Sequence, residues 1–159
     1  MKRSIILEGM DGSGKSTLAR ALASKFETGM FSIGGPPSSD EIAMDMAVIQ
    51  YEIMERHAII FDRATPISRL CYEIRLPDLH HKELFDVMDS MLDHAIVIWC
   101  IGNSDDHEIK TYDTKEHIEH ITKNHGLIKS RYASIMKEIP HITYDFNVDT
   151  LEDIFRSIV

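Results

Sequence analysis

Short apolar runs alternate with stretches of helical periodicity along this sequence, and that alternation limits its fold more than any other feature. Five runs have the pattern of buried strands: residues 4–8, 30–33, 58–61, 95–101 and 141–144. Each run is almost continuously apolar and a helical stretch separates it from the next, so these strands cannot pair as hairpins. They predict an α/β fold with a parallel sheet, right-handed crossovers, helices on both faces and a ligand at the carboxyl ends of the strands.

The helical stretches carry apolar residues three and four positions apart, with capping signals at two of their starts. Ser38 with Glu41, and Asp113 with Glu116, have the spacing of a capping box. The positions that we expect to face the core are Leu18, Leu22 and Phe26; Ile42, Met46, Ile49 and Ile53; Leu84, Met88 and Met91; and Leu151, Phe155 and Ile158.

Length, charge and cysteine content narrow the class of protein. The 159 residues suit one domain spanning residues 1–159. With 17 Lys plus Arg against 26 Asp plus Glu, the net charge of -9 repels nucleic acid, so DNA binding would need a local basic patch.

The two cysteines, Cys71 and Cys100, are too few for a disulfide framework or a zinc site, and we expect the protein to lie in a reducing cytoplasm. No stretch resembles a secretory signal or a membrane span, so no membrane partner is expected.

The segment after the first predicted strand, GMDGSGKS at residues 9–16, matches the P-loop pattern. Its glycines let successive main-chain N–H groups point inward, and the following helix adds the positive end of its dipole. We expect Lys15 to reach the β- and γ-phosphates and Ser16 to bind Mg²⁺, which makes ATP and Mg²⁺ the expected cofactors. The predicted ATP-binding residues are Gly9, Met10, Asp11, Gly12, Ser13, Gly14, Lys15, Ser16 and Thr17.

A second polar pair, Asp62 and Arg63, follows the third predicted strand. If that strand lies beside the first, both side chains come next to the P-loop. Asp62 could then hold Mg²⁺ or accept a proton from an attacking hydroxyl, and Arg63 could bind a phosphate with two parallel hydrogen bonds. The structural alternative is an ordinary ion pair at the end of a surface strand.

These two motifs resemble those of a known family. Residues 8–17, EGMDGSGKST, look like the first motif of thymidylate kinases. Residues 62–72, DRATPISRLCY, are similar to their Asp-Arg, Ser and Tyr segment, and closer still to its version in small bacteriophage nucleotide kinases. A looser resemblance runs through residues 96–100 and 131–146. The resemblance implies a three-layer P-loop kinase fold with strand order 2-3-1-4-5, ATP as donor and a thymidine-like acceptor.

The same resemblance implies roles for individual residues. Asp11 is expected to face the sugar or phosphate of the acceptor, and Arg63 to contact its phosphate. The candidate catalytic residues are Lys15, Asp62, Arg63 and Asp11; the candidate acceptor-binding residues are Asp11, Arg63, Arg69 and Tyr72; the candidate Mg²⁺ ligands are Ser16 and Asp62.

Two departures from the family pattern bear on the acceptor. Residues 34–57 leave room for one helix where thymidylate kinases have an extra one that helps to grip thymine, so the base pocket must differ. Kinases of this type usually place a catalytic arginine in a lid after the fourth strand, but residues 102–129 contain no arginine. One of the lysines there, Lys110, Lys115, Lys123 or Lys129, could take the place of that arginine in a lid, although an ammonium cannot match the planar fork of a guanidinium.

A shortened acceptor side favours a polymeric acceptor. We therefore expect transfer to the hydroxymethyl group of 5-hydroxymethyl-deoxyuridine in phage DNA, the reaction of a small subgroup that resembles thymidylate kinases. A hydroxyl acceptor gains about 10²- to 10⁴-fold in rate from a positioned carboxylate, and Arg63, Arg69 and Arg75 would form a strip for DNA phosphates. The alternative is a kinase of free deoxynucleoside monophosphates such as dTMP.

Two further classes of function remain open. A nucleotide-gated switch would need a water-positioning residue and segments that reorder around the γ-phosphate. A small-metabolite kinase would share the P-loop but lack the nucleotide-kinase-like segment at residues 62–72. A homodimer also remains open, and a phage-encoded protein would act in the cytoplasm of its host.

Overall fold

Strands and helices alternate along the chain, as the sequence pattern predicts. A computed structural model describes residues 1–33, 37, 39–72, 78–102 and 115–159, without the side chains of residues 78–81 and 117. In chain order the elements are β1 (Ser4–Glu8), α1 (Lys15–Phe26), β2 (Met30–Ser32), α2 (Asp40–Arg56), β3 (Ile60–Asp62), α3 (Thr65–Tyr72), α4 (Asp78–Leu92), β4 (Ala95–Cys100), α5 (Lys115–Glu138), β5 (His141–Tyr144) and α6 (Leu151–Ile158).

The strands form one five-stranded sheet in the order β2-β3-β1-β4-β5, and each neighbouring pair is parallel. This confirms both the predicted parallel sheet and the strand order that the family resemblance implies. β1 is the central strand, with Leu7 level with Asp62 of β3 and with Ile98 of β4. Because all strands run in the same direction, the segments that follow β1, β3, β4 and β5 begin at one edge of the sheet.

Helices cover both faces of the sheet, which accounts for the almost continuously apolar strands. On one face, Ile6 and Phe61 pack in a core with residues of α2, α3, α4 and α5. On the other face, Ile5 and Ile60 pack with residues of α1 and α6. The three-layer α/β architecture is therefore confirmed.

The strand ends differ slightly from their predicted positions. β2 ends at Ser32, β3 runs from Ile60 to Asp62, and β4 ends at Cys100. Element ends are where apolar patterns are least informative, because the hydrogen-bond ladder rather than hydrophobicity defines them.

The predicted core face of α2 is wrong at two of its four positions, whereas Ile53 packs partly buried against the core and Met46 is half-buried. Ile42 and Ile49 are 44% and 50% exposed. Gln50 is fully buried instead, because its Nε2 donates to the Arg63 carbonyl at 3.2 Å and its Oε1 accepts from the Thr65 N–H at 2.8 Å. The buried positions of this helix are Ala43, Ala47, Gln50 and Met54. A hydrophobicity pattern misplaces this face because one of its core residues is polar and finds its partners only in the folded chain.

The N-cap of α2 is Ser39 rather than the predicted Ser38. The Ser39 hydroxyl accepts from the Ile42 N–H at 3.2 Å, which satisfies one of the free amides at the helix start. Ser38 lies outside the described residues, as does Asp113, the predicted cap of α5.

The predicted core residues of α1 and α4 are mostly correct, and in α6 Phe155 and Ile158 pack partly buried against the core, whereas Leu151 does not. Leu18, Leu22, Leu84, Met88 and Met91 are buried. In α6 the buried residue is Ile154, while Leu151 is 38% exposed. Phe155 lies partly buried with its ring edge-on to Phe26. Thr150 and Asp153 form a reciprocal capping box that sets where α6 begins.

The 24-residue helix α5 has one buried side and one polar side. Ile128, Tyr132 and Met136 are buried at four-residue intervals, whereas Lys115 and Lys123 are exposed. Within the described ranges, no helix combines the length and the apolar character needed to cross a membrane.

The corrected face of α2 predicts unequal effects for two truncations. Met54 is 4% exposed and Ile49 is 50% exposed. Met54→Ala should lower the free energy of unfolding by about 2–5 kcal/mol, and Ile49→Ala by less than about 1 kcal/mol. Urea denaturation followed by circular dichroism measures both. A larger loss for Ile49→Ala would mean that the sequence pattern had identified the buried face correctly after all.

Candidate active site

The loop between β1 and α1 is compressed against its neighbours, and two of its glycines make that possible. Gly9 has φ 146°, and a Cβ at this position would lie 2.3 Å from the carbonyl oxygen of Cys100. Gly14 has φ 84°, and a Cβ there would lie 2.9 Å from the ring of Phe146. At Gly9 the main chain of Cys100 leaves no room for a side chain, and at Gly14 the left-handed φ strains any other residue, so these glycines determine the path of the loop. The loop leads into the N-terminus of α1, which carries partial positive charge.

Lys15, the first residue of α1, folds back over this loop. It is 6% exposed, and its Nζ donates to the Met10 carbonyl at 2.7 Å. Burial and the positive charge of Arg63 lower the pKa of Lys15 to about 7, against the opposing effect of the carboxylates of Asp11 and Asp62. An anion entering the loop would favour the charged form of this lysine.

Ser16 and Asp62 lie in contact because β3 pairs with β1. The Ser16 hydroxyl donates to Oδ2 of Asp62 at 3.2 Å. A hydroxyl and a carboxylate are hard oxygen donors of the kind that Mg²⁺ binds together with substrate phosphates and water. The two residues therefore fit the predicted Mg²⁺ site.

Arg63 occupies the turn between β3 and α3 in a conformation that is rare for a side-chain-bearing residue. Its φ is 77°, in the left-handed region, which costs on the order of 1–3 kcal/mol. Main-chain bonds hold it there: its N–H donates to the Leu7 carbonyl at 2.9 Å, and its carbonyl accepts from Gln50. Strain that is retained in this way commonly marks a residue whose side-chain direction matters for function.

The guanidinium of Arg63 is enclosed by two tyrosines and two carboxylates. Nη2 donates to Oδ1 of Asp11 at 3.0 Å and to the Tyr72 hydroxyl at 3.1 Å. Nη1 donates to the Tyr132 hydroxyl at 2.9 Å and lies 3.8 Å from Oε2 of Glu8. Burial disfavours the charge on Arg63, but these partners more than offset that effect and hold its pKa well above the ordinary value.

Glu8 is the buried partner in this cluster. Its side chain is fully buried, and it accepts from the Ala64 N–H at 2.8 Å, the Ser68 hydroxyl at 3.0 Å and the Tyr132 hydroxyl at 2.8 Å. Burial raises the pKa of Glu8, while Arg63 and the hydrogen bonds act in the opposite direction. The carboxylate thus joins the end of β1 to α3 and α5.

Most of the site residues predicted from the sequence lie together at this edge of the sheet. The cluster contains Asp11, Lys15, Ser16, Asp62, Arg63 and Tyr72. Arg69 has other partners: it forms an ion pair with Asp40, and its Nη1 donates to the Pro37 carbonyl at 3.3 Å. Arg75, the third member of the predicted basic strip, lies outside the described residues.

Arg69 lines a cavity between α2, α3 and α4. The cavity has a volume of about 670 Å³ and is lined by Ser39, Asp40, Glu41, Ala43, Met44, Asp45, Arg69, Glu83 and Leu84. Four of these nine residues are acidic and one is basic. Its wall is therefore negative overall, with the positive charge of Arg69 paired to Asp40.

Three of the four lysines that could replace the lid arginine lie on α5, and all three are exposed. Lys115 is 89% exposed and lies 3.8 Å from Glu119 on the next turn of α5. Lys123 and Lys129 are also exposed on this helix, and Lys110 lies outside the described residues. The cations that the structure describes within the P-loop cluster are Lys15 and Arg63.

Sequence reasoning assigned no role to Glu8, Gln50 or Tyr132, although all three hold Arg63 in place. Glu8 carries a signal, since it is a charged residue that ends an otherwise apolar strand. Tyr132 carries none, because its spacing from Ile128 and Met136 is that of an ordinary core position. Gln50 likewise looks like a surface residue until its two partners are known.

Comparison with solved structures identifies the fold. The YorR protein of Bacillus subtilis, in complex with phosphorylated GDP, is 24% identical, with 97% of this chain and 92% of that chain covered at a TM-score of 0.63. Deoxyadenosine kinase from M. mycoides with its products is 18% identical, at 98% and 97% coverage and a TM-score of 0.58. Thymidylate kinase from Candida albicans is 14% identical, at 98% and 88% coverage and a TM-score of 0.59.

At these identities the likeness establishes a shared fold. No protein-family model matches the sequence, and no curated protein matches it. The chain has the fold of the P-loop nucleotide kinases, with the same α/β architecture over nearly its whole length.

The lowered pKa of Lys15 predicts that the protein takes up a proton when it binds a triphosphate. With a pKa of about 7, Lys15 is mostly neutral at pH 8 before binding, and a bound polyanion should return it to the charged form. Titration calorimetry with ATP at pH 8, in two buffers of different ionisation enthalpy, should show a net uptake of protons.

The matched control is Lys15→Arg, because a guanidinium stays charged throughout and should bind ATP with almost no uptake. Equal proton uptake by the wild type and this variant would assign the proton to another group.

Proposed function

We propose that this protein is an ATP-dependent phosphotransferase that passes the γ-phosphate of ATP to the phosphate of a free nucleoside monophosphate, with a thymidine-like deoxynucleotide as the first candidate. One observation carries the proposal. Asp11, inside the P-loop, is hydrogen-bonded to Arg63 at 3.0 Å, so the loop that would hold the donor adjoins a second cationic group that can hold an acceptor.

The donor side consists of the P-loop, Lys15 and the start of α1. Main-chain N–H groups of the loop and the helix terminus offer a preformed anion site. Lys15 would exchange its bond to the Met10 carbonyl for oxygens of the β- and γ-phosphates. Ser16 and Asp62 would hold Mg²⁺, which when bound would neutralise part of the charge on these phosphates.

The acceptor side centres on the Nη2 edge of Arg63. A monophosphate would replace the Asp11 carboxylate on this edge and retain the charge-assisted geometry that Arg63 already has. A phosphate acceptor is largely ionised near neutral pH and needs no general base. Positioning and the neutralisation of charge are then the main contributions of the protein.

Charge favours a small acceptor over a DNA duplex. The net charge is -9, and the cavity beside α3 presents Asp40, Glu41, Asp45 and Glu83. Arg69, which a DNA strip would need, is paired with Asp40. A duplex with one phosphate per about 1.7 Å of axis would meet this negative wall unfavourably. Two of the similar solved structures are by name a deoxyadenosine kinase and a thymidylate kinase, that is, kinases of a nucleoside and of a nucleotide, which supports the same choice.

Transfer to the hydroxymethyl group of 5-hydroxymethyl-deoxyuridine in phage DNA, a step of thymine hypermodification, is the second candidate. It is favoured by the single helix α2 between β2 and β3 in the described residues, which leaves little protein to enclose a free base. Asp11, with a side chain 24% exposed, would then be the carboxylate that accepts the proton of the hydroxyl.

One assay distinguishes these acceptors. The protein would be incubated with γ-labelled ATP and Mg²⁺ and, separately, with dTMP, the other nucleoside monophosphates, hydroxymethyl-deoxyuridine monophosphate and duplex DNA containing that base. We expect label in one or more free nucleotides, and none with Lys15→Ala, which lacks the ammonium that binds the transferred phosphate.

Each other outcome rejects part of the proposal. Label in DNA alone would replace the free nucleotide by the second candidate. ATP hydrolysis without labelled acceptor would favour a nucleotide-gated switch, and unchanged transfer by Lys15→Ala would remove the P-loop assignment altogether.

The contact between Ser16 and Asp62 predicts how activity depends on Mg²⁺. Asp62→Asn removes a charged oxygen ligand, so the Mg²⁺ concentration for half-maximal transfer should rise about tenfold or more. Asp89→Asn, at an exposed position of α4, is the matched control and should leave that concentration unchanged. If the Mg²⁺ dependence of Asp62→Asn equals that of the wild type, Asp62 is not a ligand of Mg²⁺.

A further inference from the structure

The two edges of the Arg63 guanidinium have different surroundings. Nη1 faces the protein interior, where Tyr132 is 1% exposed and Glu8 is fully buried. Nη2 faces Asp11 and Tyr72, and the side chain of Asp11 is 24% exposed. One edge is therefore enclosed by the fold, and the other borders the site where phosphates would bind.

Tyr132 connects the enclosed edge to Glu8 through a single hydroxyl. Its only hydroxyl proton is donated to Oε2 of Glu8 at 2.8 Å, which leaves its oxygen free to accept from Nη1 of Arg63 at 2.9 Å. Burial raises the pKa of Tyr132 well above the ordinary value, so the hydroxyl keeps this proton across the neutral range. The hydrogen bonds therefore run in one direction, from Arg63 to the Tyr132 hydroxyl and from that hydroxyl to Glu8.

Glu8 is itself held from three directions. The Ala64 N–H and the Ser68 hydroxyl bind it from the start of α3, and the Tyr132 hydroxyl binds it from α5. Two further bonds tie α5 to α3: Arg131 donates to the Leu70 carbonyl at 3.4 Å, and a ring nitrogen of His120 lies 2.9 Å from the Tyr72 carbonyl. Tyr132 therefore lies on a helix that is tied directly to the last turn of α3 and, through Glu8, to its start.

We propose that Tyr132, supported by Glu8, is a positioning residue for Arg63. It fixes the Nη1 edge of the guanidinium so that Nη2 is presented to the acceptor phosphate, where the phosphate takes the place of Asp11. The inference rests on the proposed function and deepens it, because it names what aligns the acceptor-binding arginine. An arginine held at one edge loses little further conformational freedom on binding its ligand at the other.

The variant that tests this is Tyr132→Phe, which keeps the ring and removes the hydroxyl. It should lower kcat/KM for the acceptor about 10- to 100-fold, since small misplacement of a positioning group is costly. The KM for ATP should stay within about twofold, because Lys15 and the loop are untouched. Tyr51→Phe is the matched control: the Tyr51 hydroxyl donates to Glu55 on the exposed side of α2, and its loss should leave both constants unchanged.

A purely structural role for Tyr132 predicts a different result. The variant would then melt at a lower temperature, but below that temperature its folded fraction would have wild-type constants for both substrates, and this outcome would overturn the inference. Glu8→Gln is the second variant, which keeps the shape of the side chain and weakens the support of Tyr132. It should show the same selective loss with the acceptor.

A double-mutant cycle with Arg63→Lys tests whether the loss of kcat/KM in Tyr132→Phe depends on Arg63. An ammonium has no second edge to align, so Tyr132→Phe should lower kcat/KM by less than about twofold in the Arg63→Lys background. Fully multiplicative losses would show that Tyr132 does not act through Arg63. A wild-type protein that phosphorylates no acceptor would instead overturn the proposed function, whereas an active wild type with an unaffected Tyr132→Phe variant overturns this inference alone.

Discussion

The arrangement of the site depends on one buried carboxylate at the end of the central strand. An uncompensated buried charge costs several kcal/mol, so Glu8 is tolerable only with a complete set of partners. Three hydrogen-bond donors and the nearby guanidinium of Arg63 provide that set. Because these groups come from the β3–α3 turn, α3 and α5, satisfying Glu8 brings three separate segments together around Arg63.

Charge balance explains how this cluster of cations and carboxylates could accept phosphates. Lys15 and Arg63 are surrounded by the carboxylates of Glu8, Asp11 and Asp62. In the proposed reaction, phosphates would take the place of some of these carboxylates, and Asp62 would turn to Mg²⁺, so that the two cations would keep anionic neighbours throughout. Burial and the positive charge of Arg63 lower the pKa of Lys15, and its Nζ bonds a main-chain carbonyl where a phosphate would bind.

The sequence was informative where a local pattern has one physical solution. The P-loop is an example, because Gly9 and Gly14 have backbone conformations that other residues rarely adopt, and a glycine-rich pattern ahead of a lysine predicts that geometry. It was less informative where partners are distant. The buried face of α2 was misjudged because Gln50 is a core residue, and Arg69 was grouped with Arg63 although its side chain turns to Asp40. Neither outcome can be read from spacing along one helix.

By itself, the sequence determined the alternation of strands and helices, the parallel sheet and the loop that opens α1, since these follow from hydrophobic period, chain connectivity and glycine content. Only the tertiary structure decided which side chains surround Arg63. Tyr132 lies 69 residues from Arg63 along the chain, and its hydrogen bond to that residue exists only because α5 packs on α3. Hydrogen bonds between distant segments depend on the path of the whole chain, and a local sequence pattern does not predict that path.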